Sequence, residues 1–417
     1  MEIDGTVVIE DGFGFVPRNS ETESDDKSFN IVRRYTMTNK NAASVRLISW
    51  GAGIQSIRVP NARDILSDVA FGFDDMKGYS TNRYVGRIIN NVRNRSSNFD
   101  VNDCFEIRAQ GDYRENERFE TVNNRNRFGA RAKEDREENE KFDTLDNVNW
   151  ESCILGEQVI MSYVKRVRTR ERFGDMLIQV KYSWTDKNEL NINMRATVTE
   201  SMPVNMTVLC PMNLAGHAAG VKELEDHIVS INTEKFGPSG PGQEWFNRVS
   251  KVDPNFYDLR MPTRLKNRIY HISGGGYNHN LRINSPSDRC YRFHARIIHP
   301  ESGRFMEIYS NKSHLKFSTL NDFPDFEPKH VSRAEDRFGR AGGDVPAEKI
   351  VLDDETSRRD LFVRGKDGAL YRRHGGFVLS PLNDCSDEFS YWNNIVNPGE
   401  IYHHDLSYKF GTKSRDR

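Results

Sequence analysis

Along most of this chain apolar and polar side chains alternate one by one. The runs SVRLISWGAGIQSIRVP, EQVIMSYVKRVRT, DMLIQVKYSWT, ELNINMRATVTE, RFMEIYSN and EIYHHDLSYKF all carry this period of two, the spacing of strands with one buried face. Turn signals such as TDKNE, PSGPG, SGGG and KDG separate the runs, and no helical stripe persists beyond a couple of turns. The pattern predicts an all-β protein of antiparallel sheets, with one large domain over residues 31–412. Residues 1–30 end in SETESDDKSFN, which has little to bury, so a flexible polar leader is expected there and a short tail at 413–417.

One stretch breaks the alternation. Residues 114–142, RENERFETVNNRNRFGARAKEDREENEKF, mix both charge signs and carry almost no aliphatic side chains. Pairs such as Arg136 with Glu140 and Glu137 with Lys141 allow a short surface helix, each worth only ~0.3 kcal/mol when exposed. Two readings of this charged insertion stand: a solvated excursion between strands, or a docking site for a protein partner.

Charge narrows the choice of partners. The 417 residues hold 60 Lys plus Arg against 61 Asp plus Glu, a formal charge of −1. That balance creates no global field for nucleic acid or anionic lipid, so neither is expected as a partner. The start MEIDGTVVIEDGFGF lacks a secretory signal and no run reaches the ~18 apolar residues of a membrane helix, so a soluble, cytoplasmic protein is expected. Five cysteines are scattered singly without CxxC spacing, which suggests neither a disulfide frame nor a zinc site. His403 and His404 are neighbours on an expected strand, so their side chains point to opposite faces and cannot serve one metal. No metal and no cofactor is expected.

Several blocks in sequence order resemble the aldose 1-epimerase family, the galactose mutarotases. They are RYTMTNKNAASVRLISWGAGIQSIRVP, SDVAFGFDDMKGY, YVGRIINNVRN, CPMNLAGHAAG, YDLRMPTRL, GGGYNHNLRIN, HGGFVLSPLND and NPGEIYHHDLSYKF. The resemblance spans about residue 31 to the end and implies a β-supersandwich with a sugar-sized cleft across one face. The activity it implies is interconversion of the α and β anomers of a free hexose. That reaction takes a proton from the anomeric hydroxyl while giving one to the ring oxygen, and each positioned group typically contributes ~10² to 10⁴ in rate.

The resemblance places the family's base, a glutamate in a block like "HsGFcLEtQ", at Ser380 in HGGFVLSPL, and its acid, a histidine in "nHsYFNLaG", at Leu209 in VLCPMNLAG. An unassisted hydroxyl cannot remove a proton from a sugar hydroxyl near neutral pH, and leucine cannot donate one. A second family histidine falls loosely near Asn123 and Asn124, where Arg127, Phe128 and Gly129 follow. The positions that would hold carbohydrate are Asn90, Asn91 in place of an arginine, Asp258, Asn278 in place of an aspartate, Lys316 in place of a glutamine, and His374. Asp258 reads equally well as a turn aspartate bonding local backbone. His217 and His374, with Asp258, are the candidate substitutes for the lost acid and base; as structural histidines they would need no further role. His279 is a similar case.

Three functions remain open on these residues. The first is a catalytically degenerate family member binding a monosaccharide, a glycan or a protein partner through the remodelled cleft. The second is an active aldose 1-epimerase using substituted groups, and the third an interaction scaffold built on the charged insertion.

Overall fold

A computed structural model of the protein describes residues 5–17, 29–82, 85–90, 145–168, 173–233, 254–266, 268–272, 275–285, 290–324, 363–384 and 393–413. The charged insertion at 114–142 lies outside the described residues. So do Asn91, Asn123, Asn124, Arg127, Phe128 and Gly129.

The alternation read from the sequence becomes the buried face of a nine-stranded antiparallel sheet. Its order is Thr263–Arg264, Ile228–Ile231, Arg292–Ile298, Arg304–Ser310, Tyr402–Thr412, Glu189–Val198, Phe173–Trp184, Gln158–Arg168 and Glu151–Leu155. In two neighbouring strands the even positions are buried, from Met176 to Trp184 and from Leu190 to Val198. They pair directly across the ladder, Leu190 with Trp184, Ile192 with Tyr182 and Met194 with Val180. A one-residue slip would turn this apolar set to solvent, so burial fixes the register. Each such side chain contributes roughly 1.5–3 kcal/mol on burial.

A five-stranded sheet, Val7–Pro17, Phe29–Thr38, Ser44–Ile48, Gly53–Pro60 and Leu66–Asp68, packs on that face. Polar tips close the contact: Tyr182 Oη donates to the Ala52 carbonyl at 2.6 Å and the Trp184 indole to the Ala43 carbonyl at 3.1 Å. Arg304, 2% exposed, spans to the second sheet, donating to the carbonyls of Leu214 and Ile65 at 3.0 Å each and to Ser67 Oγ at 2.8 Å. Helix is confined to short pieces such as Met76–Thr81, capped by the Asp75 carboxylate accepting from Gly78 N at 2.9 Å.

The expectation of a leader over residues 1–30 needs correction. Residues Val7–Pro17 form the edge strand of the five-stranded sheet, paired from Val7 with Thr38 to Pro17 with Phe29. An edge strand needs only one buried face. Val16 supplies it, while Glu10 and Asp11 stay outside and bond Arg33 and Arg34. The acidic residues and the Gly12–Gly14 bulge hide that half-alternation in the sequence.

Two buried histidines, His227 and His294, and the half-buried His279 make the fold sensitive to acid. Burial pushes His227 and His294 down to about 3 and His279 to about 4, with His299, Arg292 and Lys316 respectively adding repulsion. Their folded values lie below the unfolded value, so the unfolded chain binds more protons and stability falls as pH drops below about 6.5. Each ring adds up to ~1.4 kcal/mol per pH unit to the slope. Urea titrations between pH 7 and 4.5 should show a steepening loss of stability; a flat profile over that range would contradict neutral burial of these rings.

Candidate functional site

Three strands, Asn278–Arg282, His314–Ser318 and Val378–Leu382, form a small antiparallel sheet. Its odd positions Leu281, Leu315, Phe317 and Leu379 belong to the main core, which turns the even positions to the other face. There Asn280, Lys316 and Ser380 stand directly opposite one another in a row across the three strands. The pair of strands Arg87–Asn90 and Met206–Leu209 continues this layer, tied to it by Thr207 Oγ1 donating to the Pro381 carbonyl at 2.7 Å.

Ser380 is wholly buried, and its hydroxyl donates to the Val208 carbonyl at 2.7 Å. Leu209, 2% exposed, packs in a second apolar cluster with Ile89, Phe71, Tyr79 and Val378. Asn90 is spent on the backbone: Oδ1 accepts from Asn205 N at 2.7 Å and Nδ2 donates to the Pro203 carbonyl at 3.3 Å. Arg87, fully buried, donates to the carbonyls of Asp146 and Asn82 at 2.7 and 2.6 Å and to that of Tyr79, holding this strand in place.

Two turns meet beside this layer. Met212 and Phe377 exchange backbone hydrogen bonds at 2.9 Å each, and Asn213 Nδ2 donates to the Gly375 carbonyl at 2.9 Å. Gly376 has to be glycine, since a Cβ would lie 2.6 Å from the Met212 carbonyl oxygen. The same contact brings the segments of His217 and His374 to one side of the fold. His217 Nδ1 lies 3.0 Å from Tyr371 Oη and Nε2 lies 3.5 Å from an Asp367 carboxylate oxygen, and burial lowers its proton affinity. His374, at φ 56°, donates from Nδ1 to the Thr319 carbonyl at 2.9 Å and accepts at Nε2 from Arg373 Nε at 3.3 Å.

Asp258 sits on a separate loop and closes its own turn. Oδ1 accepts from the backbone N and Nε of Arg260 at 3.1 and 3.0 Å, and Oδ2 from Nη2 at 2.8 Å. The Arg260 guanidinium holds this carboxyl below the usual carboxylate range. Asn278 and Lys316 lie on the small sheet described above, Lys316 being 4% exposed. His279 directs its ring at Tyr257 and Tyr277 and accepts at Nδ1 from Asn278 N.

The sequence model of the aldose 1-epimerase family matches residues 33–409. The chain belongs to the aldose 1-epimerase family. It is 26% identical over 369 residues to the human galactose mutarotase, covering 88% of this chain and 90% of that one. It is 22% identical over 299 residues to the aldose 1-epimerase of Escherichia coli, covering 69% and 79%. Among solved structures it resembles a galactose 1-epimerase from Lactobacillus acidophilus, with a TM-score of 0.57, 13% identity and 97% and 99% of the two chains covered. An aldose epimerase homologue from C. elegans superposes with a TM-score of 0.56, 17% identity and 89% and 96% covered. These likenesses show the galactose mutarotase-like fold.

In this family member the segments around the site are positioned by a group that sequence reading missed. The Lys366 ammonium, buried beneath the 363–371 segment, donates to Asp68 Oδ2 at 2.6 Å and to the Gln55 carbonyl at 2.7 Å. Asp68 also accepts from Ser56 Oγ, Ile57 N and Ala70 N, while its carbonyl receives His217 N. Lysine in the KDG signal reads as an exposed turn residue, and its partner stands 298 residues away, so spacing held no sign of the pair. Among the described residues no cluster of three His, Cys, Asp or Glu side chains is arranged to hold a metal. No described helix is long and apolar enough to cross a membrane.

The two ion pairs of this region should respond differently to mutation. Side chains in the Asp68–Lys366 pair are 14% and 6% exposed, so Lys366→Ala, which strands a buried carboxylate, should cost about 3–5 kcal/mol. The Asp258–Arg260 pair is 30% and 46% exposed, and Asp258→Asn should cost no more than ~1 kcal/mol. Urea midpoints of the two variants measure this, and equal losses would refute the assignment of Asp68–Lys366 as the structural clamp.

Proposed function

We propose that this aldose 1-epimerase family member binds a carbohydrate on the Asn280–Lys316–Ser380 face and does not interconvert its anomers. The observation that carries this reading is the fate of the two proton-transfer positions. One holds Leu209, packed among apolar side chains, and the other holds Ser380, whose proton is given to the Val208 carbonyl. A group that moves a proton must lie within hydrogen-bond reach of it and exchange it near neutral pH. Neither side chain meets that condition. The amide of Asn280 and the ammonium of Lys316, paired across this sheet, are of the kind that bonds sugar hydroxyls, which supports binding.

The names of the relatives favour a second reading, an aldose 1-epimerase working with substituted groups. It would draw on His217, His374 and Asp258. The ring nitrogens of His374 are both engaged with Thr319 and Arg373, and the Asp258 carboxylate is held by Arg260. Recruiting them would require breaking those bonds first.

The two readings separate on a restored variant. Leu209→His/Ser380→Glu should accelerate the approach of α-galactose to its anomeric equilibrium, followed by polarimetry, by on the order of 10² or more over the parent protein. A parent protein that already accelerates the reaction, and loses the effect in Asp258→Asn, would establish the second reading instead.

A further inference from the structure

The first two strands of the five-stranded sheet run on past the third. Ser44–Ile48 pairs with Phe29–Thr38 only between Arg34 and Thr38, so residues 13–17 and 29–32 form a two-stranded arm. Its apolar side chains lie on both faces. Tyr35 and Met37 belong to the main core, so the odd positions of their strand turn to that side, and Val32 turns the other way into the second apolar cluster. The bulge between Gly12 and Gly14 gives Val7–Pro17 one extra residue. Val16 therefore joins Val32 in the second cluster, while Phe15, directly opposite Ile31, shares the other face with Pro17 and Phe29.

One face of the arm is thus anchored on the fold, and Asn149 Nδ2 fixes it further by donating to the Ile31 carbonyl at 2.9 Å. The other face lies open: Phe15 is 69%, Phe29 59% and Ile31 55% exposed, and Pro17 is exposed beside them. A ribbon with apolar side chains on both faces matches strands that are covered on both, and a contiguous apolar patch of this kind marks a contact surface. The arm also precedes the 33–409 span that matches the family.

Charge and area decide what fits this face. The arm segments FGFVP and FNIV hold no charged side chain, and the acids next to them are matched within the chain, Glu10 by Arg33 at 3.2 Å and Asp11 by Arg34 at 2.9 Å. Two copies of the face therefore meet without like charges opposed. Large apolar side chains bury ~150–250 Å² each when fully covered, so at these exposures the face offers on the order of 400 Å² per copy and ~800 Å² for a pair, just under the ~1,000 Å² of a stable specific interface. A two-fold contact lets one patch supply both sides and closes at two copies. We propose that the arms of two copies of this chain stack face to face, with Phe15, Phe29 and Ile31 of each against those of the other, in a weak, reversible dimer. The proposal is independent of the carbohydrate-binding reading above.

Sedimentation velocity of the whole protein, over a concentration series from about 1 to about 500 μM, tests it. A monomer–dimer equilibrium with a dissociation constant on the order of 10⁻⁵ M is expected. Phe15→Glu and Ile31→Glu should each weaken it at least tenfold while leaving the urea midpoint unchanged, because both side chains are exposed. Leu177→Glu, at a position 49% exposed on the outer face of the nine-stranded sheet, should leave the equilibrium as it was. A monomer at every concentration would overturn the second copy as what covers the arm. A dimer that survives both arm substitutions, or that Leu177→Glu dissolves, would overturn the arm as its interface, and assemblies that keep growing with concentration would overturn the two-fold contact.

Discussion

The Asp68 carboxylate is the point on which the architecture around the cleft depends. It accepts from two backbone amides, a serine hydroxyl and a buried ammonium, Lys366, which reaches it from the far end of the chain. Each partner belongs to a segment that would otherwise be free to shift: the strand Gly53–Pro60, the start of the 69–73 segment, and the turn at 366–368. A buried carboxylate is tolerated only when such partners repay its lost hydration. The bonds therefore act together, and through the carbonyls of Asp68 and Val69, which accept from His217 N and Asn213 N, they set where the segment 213–217 lies.

Around that frame the backbone of the aldose 1-epimerase family is kept, while the two positions expected to hold its acid and base carry leucine and serine. The contact between Met212 and Phe377 and the bond from Asn213 to Gly375 hold the turns that follow the expected acid position and precede the expected base position. These are packing requirements, and they are met whatever side chain occupies positions 209 and 380. Leucine extends an apolar cluster and serine bonds a carbonyl of the next strand, so both positions serve stability. The fold therefore does not by itself decide the chemistry, since the two rest on different atoms.

The same division explains how much could be read from the sequence. Strands such as Phe173–Trp184 were legible because one face is buried along their whole length, and that burial is written as strict alternation. Val7–Pro17 was not, since an edge strand with two glycines and exposed acids buries too few side chains to leave a pattern. At the site, the identities of Leu209 and Ser380 could be read from the family's blocks. What could not be read was their partners: the carbonyl of Val208 accepts from Ser380 across 172 residues, and Lys366 meets Asp68 across 298. Asp258 reads in the sequence equally well as a sugar ligand and as a turn aspartate, and its bonds with Arg260, two residues on, could not be read there.

The central claim is that no group on this face moves a proton to or from a pyranose. Two-dimensional exchange NMR on galactose at equilibrium, with the protein at high concentration, measures the rate of passage between the two anomeric signals directly. The account predicts cross-peaks no stronger than in buffer alone, at a sugar concentration where line broadening or a titration demonstrates binding. Protein-dependent exchange that scales with concentration would contradict it.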